Sequence, residues 1–123
     1  MAWPDDVHDV ADVECCDVTT TGRRSGRPHE VEIWFGVLDG GLCLISGNGP
    51  TADWFRNMEA DPHVQVRIGD VTRPMTARVV TDPGERRRVG EVMGAKYVWG
   101  GDPSIGLTYE AWCFDVPAVL LEP

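Results

Sequence analysis

The sequence predicts a mainly β fold with helices, an α+β arrangement whose strands close into a small antiparallel barrel. Three observations carry this reading. Short segments alternate apolar and polar residues with the two-residue period of strands. Turn signals, drawn from 14 Gly and nine Pro, interrupt them repeatedly. Most of these breaks are hairpin-length, which makes neighbouring strands antiparallel, and closure hides the sheet edges. The 123 residues fit a single domain, 1–123. The 42% apolar content is enough for one core.

The elements follow in order. Residues 1–12 form an acidic N-terminal arm, with a short helix expected over 4–12 that puts Val7, Val10 and Ala11 on one side. VECCDVTT (13–20) is β-branched and apolar enough for a strand. Gly22 to Pro28 is a loop by every local signal. EVEIWFGVL (30–38) alternates, with Val31, Ile33 and Phe35 on one face. Asp39-Gly40-Gly41 turns the chain into a return strand over 42–46. Gly47 to Pro50 breaks it again, and TADWFRNMEA (51–60) reads as a helix with Trp54, Phe55 and Met58 on its apolar side.

Strands are expected over 63–69 and 73–81, and a helix from the Asp82 cap and Pro83 to about Lys96. Residues 97–108 read as a Gly-rich loop with Tyr109 at its exit. The last strand is expected over about 111–121, where Pro117 suggests an edge or a bulge.

Charge narrows the partners. The net charge is −9, and six of the 20 acids lie in residues 1–17, which contain no Lys or Arg. The other 106 residues carry 11 bases against 14 acids. Such acidity excludes nucleic acid as a partner and strong association with an anionic membrane. Neither a signal peptide nor a membrane-spanning run is legible, so a cytoplasmic location is expected. The four cysteines include no C-x-x-C pair, and each His stands alone, which leaves no metal-ligand pattern.

Two motifs carry chemistry. Gly22-Arg23-Arg24-Ser25-Gly26-Arg27 sets three cations and two glycines in six residues without an acid. Its backbone lets an anion approach and its guanidiniums supply planar forks, which suits a phosphate-bearing ligand. An Arg-rich surface turn is the plainer reading of the same residues. Ser46-Gly47-Asn48-Gly49-Pro50 then leads into a helix with Trp54, Arg56 and Asn57. A Gly-rich loop entering a helix offers unpaired N–H groups and a favourable dipole; a simple connection with Trp54 in the core is the alternative.

Together, TTTGRRSGRP (19–28), SGNGP (46–50) and DWFRNMEADPHVQV (53–66) resemble the deazaflavin-dependent nitroreductase family, within the split β-barrel flavin/deazaflavin oxidoreductases. The likeness implies an FMN-binding split-barrel-like fold. It also implies a hydride transfer from reduced coenzyme F-420 to a small organic acceptor: a quinone, a nitroaromatic or a conjugated enone. It assigns the cofactor's phosphate and glutamyl tail to Arg23, Arg24 and Ser25 in the loop with Gly26. His29 falls at a position that is often basic in the family. Ser46 and Gly47 fall beside the ring system, and Trp54 and Asn57 at the groove. Tyr109 falls near the family's substrate tyrosine. Tyr109 or Tyr97 is the candidate proton donor, and Trp99 and Trp112 the candidate acceptor walls. The alternatives are FMN in the same barrel, a non-catalytic binder of a small apolar or lipid-like ligand, and a structural barrel with an incidental Arg turn. A monomer or a homodimer is compatible with an exposed barrel edge.

Overall fold

This computed structural model describes residues 7–123. The expected N-terminal helix is one turn of 3-10 helix, Val7–Val10, followed by a turn at Ala11 and Asp12; residues 4–6 of that segment lie outside the described residues. The strands are β1 (Cys15–Thr21), β2 (Pro28–Trp34), β3 (Gly36–Leu38), β4 (Gly41–Ile45), β5 (His63–Ile68), β6 (Val71–Val79) and β7 (Ala118–Glu122). The helices are α1 (Asp53–Ala60), α2 (Pro83–Lys96) and α3 (Tyr109–Phe114).

All seven strands pair antiparallel in the order β2-β1-β5-β6-β7-β4-β3. The two outermost strands, β2 and β3, are neighbours in the chain, separated only by Phe35. One residue cannot span an open sheet. The sheet therefore curls until its edges nearly meet, giving a split barrel with its seam at Phe35.

Two cores sit on the two faces of this sheet. Val18, Phe35, Leu42, Leu44, Val66, Ile68, Val119 and Leu121 fill the barrel, joined by Phe55 and Met58 of α1. Cys43, Ile45, Ala118 and Leu120 face outward onto Val89 and Met93 of α2 and Trp112 and Cys113 of α3. This is why β4 and β7 read as unbroken apolar runs: both faces are covered. β5, covered on one face only, keeps a strict alternation.

Local chemistry sets the turns and caps. Asp39 and Gly40 take positive φ values of 52° and 81°, as a two-residue hairpin turn requires. A Cβ on Gly41 would lie 2.5 Å from the Leu121 carbonyl oxygen, so only glycine lets β4 approach β7 there. Asp82 caps α2 by accepting from the Glu85 N–H at 2.9 Å. Arg78 forks onto Glu85 and also reaches Glu122, tying α2 to the sheet at the surface.

Three expectations are corrected. The segment 30–38 is two strands, because the N–H and C=O of Phe35 turn inward to the Tyr97 hydroxyl instead of a strand partner. The segment 111–121 is a helix followed by a shorter strand. Thr108 caps α3 through the Ala111 N–H at 3.1 Å, and Trp112 and Cys113 then face inward at helical spacing. β7 is also no edge strand; it lies between β4 and β6. Pro117 precedes it, where its missing N–H breaks no ladder and its carbonyl accepts from Ser46 N–H at 2.8 Å.

Candidate functional site

A trough runs along β2, an edge strand of the sheet. At one end lies a cavity of about 250 Å³ lined by Gly22, Arg23, Arg24, Ser25, His29, Asp53 and Asn57. It shares His29, Asp53 and Asn57 with a second cavity of about 580 Å³ that also takes in Asn48, Thr51 and Trp54. That in turn shares Val31, Asn48 and Trp54 with an aromatic end of about 300 Å³ walled by Trp34, Trp99, Trp112, Ile105 and Leu107. From His29 to Trp34 the trough follows β2 for about 17 Å at 3.3 Å per residue.

The basic end is built by a folded loop. Gly22 N–H donates to Arg27 O (2.8 Å) and Gly26 N–H to Gly22 O (2.9 Å), while Gly26 adopts φ 71°. A Cβ on Gly22 would lie 2.6 Å from His29 Nε2 and 2.7 Å from Ser25 Oγ, so any side chain there would push these two groups out of their present places. Asn57, 2% exposed, holds the loop to α1. Its Oδ1 accepts from the Arg23 backbone N–H (3.2 Å) and from the Arg23 guanidinium (2.8 Å). Its Nδ2 donates to Thr20 Oγ1 (3.1 Å).

Arg23 also pairs with Asp53 at 3.1 Å. Its charge is therefore largely matched within the protein, and it braces the loop. Arg24 is exposed and has no side-chain partner among the described residues. Its charge remains available to an anion. Ser25 Oγ accepts from the Arg27 N–H at 3.1 Å and stands 3.5 Å from His29 Nε2.

In the middle, Ser46 is 1% exposed and its hydroxyl donates to Gly49 O at 2.6 Å, fixing the 46–50 loop. Gly47 rather than Ser46 faces the trough, against Trp112. Trp54 is half-buried and borders two of the three cavities, so it is more than a core residue of α1.

The aromatic end is assembled from four separate segments. Trp34 stacks on Tyr97 at 4.4 Å. Trp99 and Trp112 meet edge to face at 5.5 Å, and both meet Trp34 at 5.9 Å. Neither tyrosine lines the trough. Tyr97 is 7% exposed. Its hydroxyl accepts from Phe35 N–H and is shared between the carbonyls of Phe35 and Glu14, while burial pushes its pKa up to about 12. Tyr109 stacks on Trp112 and donates to Gly94 O of α2, away from the cavities. The structure thus brings Arg23, Arg24, Ser25, His29, Gly47, Trp54 and Asn57 into one trough, with Trp99 and Trp112 at its far end. Gly26 and Ser46 shape its loops, and the two tyrosines stand behind the aromatic wall.

The sequence reading did not single out Asn48, whose amide lies at the junction of the middle and aromatic sections without a side-chain partner among the described residues. An Asn between two glycines is the signal that pointed to it. Thr20 and Asp53 lie inside the quoted motifs without being singled out, and Arg86 lies in no motif.

The curled antiparallel barrel is a split barrel, and the family model and the similar reductases place the chain among the split β-barrel flavin/deazaflavin oxidoreductases. The chain belongs to the F420H(2)-dependent quinone reductase family, whose model matches residues 7–99, and it is a reductase. It is similar to an F420-H2 dependent reductase of known structure, at 25% identity and a TM-score of 0.68, with 89% of this chain and 95% of that one covered. A protein described as a domain-swapped dimer matches at 26% identity and a TM-score of 0.68, over 97% of this chain and 87% of that one. A conserved hypothetical protein from Mycobacterium tuberculosis shares the fold at 18% identity and a TM-score of 0.73, covering 100% and 81%. No helix among the described residues is long and apolar enough to cross a membrane.

Proposed function

We propose that the trough binds coenzyme F-420 and that the protein reduces a small organic acceptor, a quinone, nitroaromatic or conjugated enone, at the aromatic end. The observation that carries this reading is the shape and polarity of the trough: at one end a guanidinium, Arg24, with no side-chain partner among the described residues, and a wall of indoles about 17 Å away. A ligand with an acidic tail and a flat ring fits that order. The fit is also chemical. The loop Gly22–Arg27 offers cationic and hydroxyl donors, and Asn48 offers an amide where ring and tail would join.

The reduced deazaflavin supplies a hydride when bound. The chain's residues do the rest. Arg24, with Ser25 and His29 beside it, holds the anionic tail. Arg23 and Asn57 hold the loop in a single shape, so little ordering is left for the moment of binding. Gly47 and Trp54 border the ring, and Trp34, Trp99 and Trp112 exclude water and set the acceptor's plane. The hydroxyls of Tyr97 and Tyr109 already bond backbone carbonyls, so both tyrosines are assigned to holding this wall, and no side-chain proton donor is named.

Fluorescence titration with F-420 and, in parallel, with FMN tests the reading. Micromolar or tighter binding of F-420 with weaker FMN binding is expected. Arg24→Ala should weaken F-420 binding about tenfold, the low end of a charge-assisted pairing because the side chain is exposed. Tighter FMN binding, or an unaltered affinity in that variant, overturns the tail assignment.

A further inference from the structure

α3 is six residues long, too short to hold itself, and its last carbonyls, from Trp112 onward, lack a helical donor. Thr108 secures its N-terminus. Its C-terminus is gripped from another helix. The Arg86 guanidinium of α2, half-buried and without a carboxylate in hydrogen-bond contact, donates to Cys113 O (2.5 Å), Val116 O (2.8 and 3.1 Å) and, more weakly, Trp112 O (3.4 Å). Burial disfavours its charge and holds its pKa below the usual guanidinium value; four hydrogen bonds to three converging carbonyls offset that cost.

What this grip controls is Trp112. The indole is 5% exposed. It touches Trp34, Tyr97, Trp99 and Tyr109, and it faces Gly47 across the trough, where a Cβ would stand 3.4 Å away. A small slide of α3 along α2 therefore changes the width of the aromatic end and leaves the basic end untouched. α2 and α3 are close enough for this to be stiff: a Cβ on Gly90 would lie 2.4 Å from the Phe114 ring.

We propose that Arg86 is a positioning residue for the acceptor, acting through the C-terminus of α3 on Trp112. The proposal rests on the reading that the aromatic end takes the acceptor. The test compares wild type, Arg86→Gln, Arg86→Lys, Trp112→Phe and the double variant R86Q/W112F, with a naphthoquinone as acceptor.

In Arg86→Gln the acceptor KM should rise at least fivefold with F-420 affinity unchanged within twofold. Arg86→Lys should fall between it and wild type, since one ammonium keeps the charge but cannot span three carbonyls. The effects of R86Q and W112F should be non-additive, because the two residues act as one unit. An unchanged KM in Arg86→Gln, or simple additivity, overturns the proposal. Should Arg86→Gln fail to fold, R86K and its double variant with W112F carry the same two readouts.

Loss of the parent reading gives a different pattern: wild type itself does not bind F-420. Near-UV circular dichroism then still tests Arg86. Its aromatic bands should change in R86Q, and the change should vanish in the Trp112→Phe background; persistence there overturns the link.

Discussion

The two ends of the trough are held by opposite means. The basic end is local in sequence, two stretches at residues 20–31 and 48–57, and it is fixed by hydrogen bonds converging on one buried amide, Asn57. The aromatic end draws on residues 34, 47, 99, 107 and 112, and it is fixed by ring packing, with Tyr97, Lys96 and Arg86 tying backbone carbonyls from distant segments. Polar ends are specified by which partners are present. Apolar ends are specified by shape, and shape depends on everything behind them.

Breaking the aromatic end should cost the most. Trp112→Ala removes a nearly buried indole that meets four other rings, and a loss of about 3–5 kcal/mol is expected in denaturant unfolding. Turnover should fall more steeply than F-420 affinity. Loss of F-420 binding without loss of stability would reverse the roles assigned to the two ends.

Asn57→Ala comes next, at about 2–3 kcal/mol, because Thr20 and Arg23 lose their partner in a buried setting. Here the order inverts: F-420 affinity should fall more than tenfold while a variant still folded keeps its near-UV aromatic signal. A retained affinity would mean that the Arg loop holds its shape without α1.

The smallest effect sharpens the comparison through pH. Burial pushes the Cys16 and Cys43 thiols from an ordinary 9.0 up to about 12, and Tyr97 from 10.0 to about 12. Their folded values exceed the unfolded ones, so the unfolded chain loses protons first. Stability is full below pH 9 and declines from 9 towards 12, starting at about half a kcal/mol per thiol at pH 9. Lys96, lowered by desolvation, works the other way and moderates the slope. Denaturant midpoints measured between about pH 8 and 9.5 check this; a midpoint that rises with pH would show that Lys96 dominates.

The barrel strands and the Arg loop were legible because their signals are short-range: alternation, turn residues, and clustered cations. The split at Phe35 was not, since its cause is Tyr97, 62 residues away. The strand expected over 111–121 takes in α3 because WCFDVPAVLL is apolar but for Asp115, and a short apolar run looks alike as helix or strand. Tyr109, by the resemblance, and Tyr97, by its phenol, are candidate donors in the sequence; nothing in a one-letter code tells a hydroxyl facing a cavity from one bonded to a carbonyl behind it. Arg86 left no trace because its partners are main-chain atoms.

Lys96 and Tyr97 have one more consequence. Side by side at the end of α2, they reach the carbonyls of Val13 and Glu14 before β1 and of Phe35 at the seam. They thereby rivet the start of the barrel to its closure point with chain from three-quarters of the way along. The barrel cannot be sealed until α2 is complete, so during synthesis the first half of the chain should emerge as an open sheet. A protein truncated before residue 96 should leave Phe35 exposed to protease.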